Sequence, residues 1–228
     1  MADRAVTSAR RSDRVLAASA GALRASADVR FVREATDGTI DDDAFAAYLA
    51  IEERFVRTAT RVTGYLAWTA EDWPTVAGHA RAVAGLVGPQ LGWFRTVRSR
   101  WPGGPDRLAD AVARSEVLAA HVLRLTTEHG APGAVTAMFA AETLYSGWCR
   151  RAASLPVERF TDLRVWIAMH AAPPFVAGVE ELAHAVDAIP DSVDDTTVVG
   201  WFLDTLAAED AFHDAVYPAL IPVLEVSR

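Results

Sequence analysis

Apolar residues recur at steps of three and four over long segments of this sequence, and this periodicity places the tightest limit on the fold. The clearest cases are residues 44–68, 135–149 and 202–216. No run keeps the period of two that marks a half-buried strand, and no longer repeat is visible. The pattern predicts an all-α, single-domain helical bundle over residues 27–228. A weakly patterned segment, residues 1–26, precedes it, part helix and part loose tail.

Proline, glycine and aspartate mark where the helices begin and end. The sequence WPGGP at 101–105 predicts a break, and so does the pair Pro173–Pro174. The run Asp41–Asp43 predicts a cap for the helix that follows it. Asp191 or Asp195 is expected to cap the last helix.

Charge and cysteine content exclude several classes of function. The net charge of −8, with 22 Arg and no Lys, argues against nucleic-acid binding, which needs a basic patch. The single cysteine, Cys149, excludes an internal disulfide and is typical of a small core residue. No apolar run reaches the roughly 18 residues that span a bilayer. Arg10–Arg11 and the apolar run after them resemble an export signal, but Asp13 and Arg14 interrupt the run. We therefore expect a cytoplasmic protein with no membrane partner.

Three glutamates occupy positions that the helical period assigns to the core. Glu52, Glu142 and Glu209 each lie in an apolar stripe with an aromatic residue three positions later. Each one alone could turn to the rim or pair with an arginine. Together they predict a pocket lined by aromatic side chains and carboxylates, the usual form of a small-molecule site. The three aromatic residues are Phe55, Tyr145 and Phe212.

Two histidines also lie on apolar stripes. His170 and His213 could each be a hydrogen-bonded core residue or part of the pocket. Glu209 and His213, four residues apart, could bind a metal together with Glu142, but no metal site is expected. No phosphate-binding glycine loop or serine elbow occurs.

Four segments between about Phe31 and Tyr217 form a recognisable series. They are FVREATDGTIDDDAFAAYLAIEERFV, FAAETLYSGW, VWIAMHAAPPFVAGVEELAHAVD and FLDTLAAEDAFHDAVY. In their order and spacing they resemble the TenA family, thiaminase-II-like proteins with a haem-oxygenase-like fold. The second segment is similar to the class in which a glutamate replaces the nucleophilic cysteine.

The resemblance assigns a role to each candidate residue. It implies that Glu209 is the catalytic carboxylate, that Glu142 replaces the cysteine nucleophile, and that Tyr145 is its neighbouring tyrosine. Glu52 stands where the family has a ring-anchoring aspartate, and Phe55 would hold the ring beside it.

Two positions depart from the family. His170 stands where the family has a tyrosine, and His213 where it has a tryptophan. With Phe212 these residues complete the set implied to bind substrate. The departures leave the substrate class open.

The resemblance implies a hydrolase of thiamin salvage that replaces the aminomethyl nitrogen of an aminopyrimidine with a hydroxyl. It implies no cofactor and a homodimer or homotetramer. Two alternatives remain: a relative that converts another heterocyclic or aromatic ligand, and a binding protein without turnover.

Overall fold

The computed structural model describes residues 9–219, and all regular structure within that range is helical. The prediction of an all-α, single-domain bundle is confirmed. A π-helical turn, Leu86–Gln90, joins α4 to α5, and a 3-10 turn, Arg98–Arg100, follows α5. The α-helices are α1 Arg11–Ser26, α2 Arg30–Asp37, α3 Asp42–Thr69, α4 Trp73–Gly85, α5 Leu91–Val97, α6 Pro105–Ser154, α7 Thr161–Ala171, α8 Pro173–Asp187 and α9 Asp195–Asp214.

Caps and breaks follow the local chemistry of the sequence. The Asp41 carboxylate accepts a hydrogen bond from the backbone N–H of Ala44 at 2.7 Å, so the predicted cap of α3 is confirmed. The prediction that Asp191 or Asp195 caps the last helix is wrong. Asp194 caps it instead, because it lies one residue before the first helical turn, where its carboxylate can reach the orphan N–H of Thr197.

Helix α6 bends at Gly130, which has φ 62° and ψ −145°. This backbone conformation suits glycine, since a Cβ atom makes it costly for other residues. Pro132 follows the bend and removes one helical N–H donor. The bend directs the second half of α6 through the middle of the molecule.

The centres of α3 and α6 are buried on every side. Residues 44–52 and 133–141 are buried at each position, without the exposed face that a surface helix keeps. Helices α9, α7 and α8 all pack against α6. Side chains on α3, α6 and α9 therefore meet in the interior.

Helix α1 accounts for the helical part of the first 26 residues and packs against α9. The buried Arg11 donates to the Asp195 carboxylate at 2.8 Å and to the carbonyl of Ile189. Arg11 thus fixes the connection between α8 and α9 to the rest of the bundle. The division at residue 26 remains a prediction, and residues 1–8 lie outside the described range.

Candidate functional site

A cavity of about 530 Å³ lies between the central helices and the pair α4 and α8. Glu52 of α3, Glu142 of α6 and Glu209 of α9 all line it. Helices α4 and α8 cover the cavity loosely, since each has a single buried residue, Gly78 and Val186 respectively. The three glutamates that the periodicity set apart therefore share one cavity. Its further lining includes the candidate residues Phe55, Tyr145 and His170.

The hydroxyl of Tyr145 is the hub of a buried hydrogen-bond network. It donates to a carboxyl oxygen of Glu52 at 3.0 Å. It also lies 3.1 Å from the hydroxyl of Tyr48 and 3.2 Å from Nε2 of His213. A hydroxyl has one proton and two acceptor lone pairs, so when ionised Glu52 accepts that proton both other partners donate to Tyr145. In that state His213 carries its proton on Nε2.

The surroundings of His213 keep its ring neutral. The ring is buried and stacks on Phe31 with centroids 4.9 Å apart. Burial lowers the pKa of His213 to about 3, so the imidazole is neutral and carries one proton. Its Nδ1 atom has no partner among the described residues.

Glu52 has the most strongly bonded of the three carboxyl groups. Its side chain is 6% exposed, and burial raises its pKa to about 8, although the hydrogen bond from Tyr145 opposes the rise. The charge of Glu142 raises the pKa further. At neutral pH Glu52 is thus mostly protonated.

Glu209 differs because neither of its carboxyl oxygens has a hydrogen-bond partner among the described residues. The side chain is 1% exposed and borders the cavity. Burial raises its pKa well above the ordinary range, and the nearby charges of Glu52, Glu142 and Asp210 add to the rise. A buried carboxyl group without a partner is costly, and the cavity is the space from which a ligand could bond to it.

Glu142 is the most accessible of the three, since it keeps partial exposure. Burial raises its pKa to about 7. Glu142 and Glu209 therefore have separated proton affinities, with Glu142 losing its proton first. Such a pair can divide the roles of base and acid near neutral pH.

His170 borders the cavity on the α7 side. Its Nδ1 lies 2.9 Å from the backbone carbonyl of Trp166, one turn earlier in the helix. Burial lowers the pKa of His170 to about 4, so the ring is neutral. The family resemblance implied a substrate-binding role for this residue, and that role stays a prediction.

Two predicted substrate-binding residues, Phe212 and His213, do not line the cavity. They lie one turn beyond Glu209 on α9, where Phe212 packs on Phe55 at 5.7 Å and His213 bonds to Tyr145. Their substrate-binding role, implied by the family resemblance, stays a prediction. Both residues contact side chains that line the cavity, namely Phe55 and Tyr145.

Tyr48 is the member of the network that the sequence analysis missed. It lies four residues before Glu52 on α3 and is fully buried. A buried tyrosine hydroxyl needs a partner, so a tyrosine one turn from a core glutamate was the available signal.

Cys149 is buried, does not line the cavity, and has a pKa raised well above its usual value by burial. It fits a core residue rather than a nucleophile. Within residues 9–219 no three His, Cys, Asp or Glu side chains converge to hold a metal ion, so Glu142, Glu209 and His213 do not form such a group. None of the helices in this range is long and apolar enough to cross a membrane.

No protein-family model matches the sequence, and no curated protein sequence matches it. Solved structures do share its fold. A TenA homologue from P. horikoshii OT3 superposes with a TM-score of 0.76 at 13% identity, covering 91% of this chain and 98% of its own.

Two further structures differ in the function that their names state. A TenA family transcription regulator from a Silicibacter species has a TM-score of 0.75 at 15% identity, covering 92% of this chain and 97% of its own. A candidate TenA-like thiaminase from Sulfolobus solfataricus has a TM-score of 0.68 at 14% identity, covering 90% and 94% respectively. The resemblance to TenA proteins is thus confirmed at the level of the fold.

Proposed function

We propose that this chain, which has the fold of TenA proteins, is a hydrolase of the kind found in thiamin salvage. It cleaves the C–N bond of the exocyclic aminomethyl group of an aminopyrimidine. The observation that carries the proposal is the carboxyl group of Glu209, buried at the cavity wall with both oxygens unpartnered among the described residues. A carboxyl group kept protonated near neutral pH is suited to protonate a departing amine.

The cavity can hold a flat heteroaromatic ring by stacking on its face and by hydrogen bonding to its polar edge. Phe55 and Tyr145 supply aromatic surface for stacking. Glu52 has one carboxyl oxygen bonded to Tyr145, which leaves its other oxygen for the polar edge of the ring. The longer side chain of Glu52, compared with the aspartate of the family, would set the ring further from α3.

The reaction needs one base and one acid, and the two remaining glutamates can provide them. Ionised Glu142 takes a proton from a water molecule, whose oxygen forms the new C–O bond. The C–N bond breaks with its electron pair on nitrogen, and protonated Glu209 gives that nitrogen a proton, so that ammonia leaves. Proton exchange between the two glutamates through water restores the starting state, and the net reaction consumes one water.

The proposed roles predict a bell-shaped dependence of turnover on pH. Activity should rise as Glu142 ionises near its pKa of about 7. It should fall at higher pH, where Glu209 loses its proton.

The test is turnover of 4-amino-5-aminomethyl-2-methylpyrimidine, followed as ammonia release, together with ligand binding by thermal shift. Glu209→Gln should lower kcat by about 10²-fold or more while changing binding by less than about threefold. Glu116→Gln, which alters an exposed glutamate paired with Arg54, is the matched control. Retained turnover in Glu209→Gln, or no stabilisation by any aminopyrimidine, would rule the proposal out.

A binding protein without turnover is the second candidate. One structure with this fold is named a transcription regulator, which favours such a role. Under this alternative an aminopyrimidine stabilises the protein, no ammonia is released, and Glu209→Gln weakens binding because its carboxyl group only holds the ligand.

A further inference from the structure

The ring of His170 has a fixed tautomer. A backbone carbonyl can only accept, so the 2.9 Å contact between Nδ1 and the carbonyl of Trp166 requires the proton on Nδ1. The ring is neutral and therefore carries no second proton. Nε2 is left as a lone pair that can accept a hydrogen bond but cannot donate one.

The orientation of this ring is fixed as well. Its centroid lies 4.1 Å from that of Trp166, 4.7 Å from Phe175 and 5.5 Å from Tyr145. A flip of the ring would place carbon against the Trp166 carbonyl and lose the hydrogen bond. The acceptor is thus held in place before any ligand arrives.

Other polar groups on the cavity wall also bear on which ligand can bind. Glu142 and Glu209 supply carboxyl oxygens. Among the described lining residues Arg81 is the one permanent cation, and it pairs with Glu181 at 3.0 Å on the exposed side. Ionised Glu142 therefore adds an acceptor to the wall, whereas protonated Glu209 can donate as well as accept.

We propose that His170 is a specificity-determining residue whose Nε2 atom accepts a hydrogen bond from an N–H or O–H group of the ligand, so that the cavity selects amino heteroaromatics over counterparts that have no N–H or O–H donor. The inference rests on the proposed function for the identity of the ring, but not for the presence of a donor. A ligand that presents only an acceptor would bring two acceptors together and leave both unpaired.

The test measures binding of 4-aminopyrimidine and 4-(dimethylamino)pyrimidine, which has no N–H donor, to the full chain and to His170→Phe by calorimetry. The unsubstituted protein should prefer 4-aminopyrimidine by about tenfold, as expected for one hydrogen bond. His170→Phe should lower this preference to about twofold, and His170→Gln, whose side-chain carbonyl can accept, should restore part of it. An unchanged preference in His170→Phe would overturn the inference.

Nitrogen-15 NMR of the histidine rings provides a signal that a purely structural role would not move. Resonances lost in His170→Phe identify the ring, and its Nε2 signal should move when a donor ligand binds. Aniline and N,N-dimethylaniline extend the test beyond pyrimidines, since only the first has an N–H donor.

If aniline moves the Nε2 signal while neither pyrimidine binds, the proposed function fails and the role of His170 stands. If no donor ligand moves that signal, or if the free ring shows its proton on Nε2, the role of His170 is refuted.

Discussion

Replacing Glu52 by glutamine should change how the stability of this protein depends on pH. In the folded protein Glu52 has a pKa of about 8, against an ordinary value of 4.5. Because the folded state holds this proton more tightly than the unfolded state, the stabilising contribution is complete below about pH 4.5. It is lost as the pH rises through 8. Glutamine cannot ionise, so the Glu52→Gln variant does not lose this stabilising contribution as the pH rises.

The size of the effect follows from the pKa difference. Each pKa unit corresponds to about 1.4 kcal/mol, so a rise of about 3.5 units corresponds to at most about 5 kcal/mol. Water that enters the cavity would relax the charged form and reduce the loss, so about 2–4 kcal/mol is the working expectation. The amide of glutamine can still accept the hydrogen bond from Tyr145, so the variant should fold.

Urea unfolding followed by circular dichroism at several pH values from 5 to 9 provides the measurement. From pH 5 to pH 9 the free energy of unfolding of Glu52→Gln should increase by about 2–4 kcal/mol relative to that of the unsubstituted protein. The comparison uses the change of this free-energy difference with pH. Any loss of stability that the amide causes equally at every pH therefore cancels. Glu116→Gln, an exposed substitution, should show no comparable change. Parallel curves for Glu52→Gln and the unsubstituted protein would refute the reasoning.

Three further substitutions test the surrounding structure. Tyr145→Phe removes the hydroxyl that lowers the pKa of Glu52, so that pKa should rise further in a carbon-13 NMR titration, and an unchanged value would contradict the network. Gly130→Ala should lower the free energy of unfolding by about 1–3 kcal/mol because of the positive φ, whereas Gly147→Ala, at an exposed helical site with open space, should not. Asp194→Ala should cost about 1 kcal/mol in the same urea assay by removing the cap of α9, and no loss would show that another group caps the helix.

The helical period was sufficient to predict the fold class and to identify the three glutamates. An apolar stripe specifies which face of a helix turns inward, and a glutamate within it stands out. The stripes understated the burial of α3 and α6, because residues 44–52 and 133–141 are buried on all faces and a stripe describes only one. Such runs are rich in alanine, which the period does not distinguish from surface residues.

Position along a helix was harder to predict than the face of a helix. Glu209, Phe212 and His213 lie on one stripe of α9, so their spacing provides no reason to separate them. In the structure only Glu209 borders the cavity. Where a cavity ends depends on the helices that close it, and those contacts are set by the tertiary fold. The network around Tyr145 has the same origin, since it joins Tyr145 of α6 to Tyr48 and Glu52 of α3 and to His213 of α9, three helices far apart in sequence.

The cost of the buried carboxyl groups is itself an argument for function. Well-packed apolar residues at the positions of Glu52 and Glu209 would avoid the loss of stability with rising pH that their raised pKa values imply. Helices of the buried core carry these groups, while the covering helices α4 and α8 bury one residue each. Well-packed helices hold acid groups at fixed positions, and a loosely packed cover lets a small molecule reach them. This division is what a site for chemistry on a small ligand requires, and a core built only for stability would need neither part.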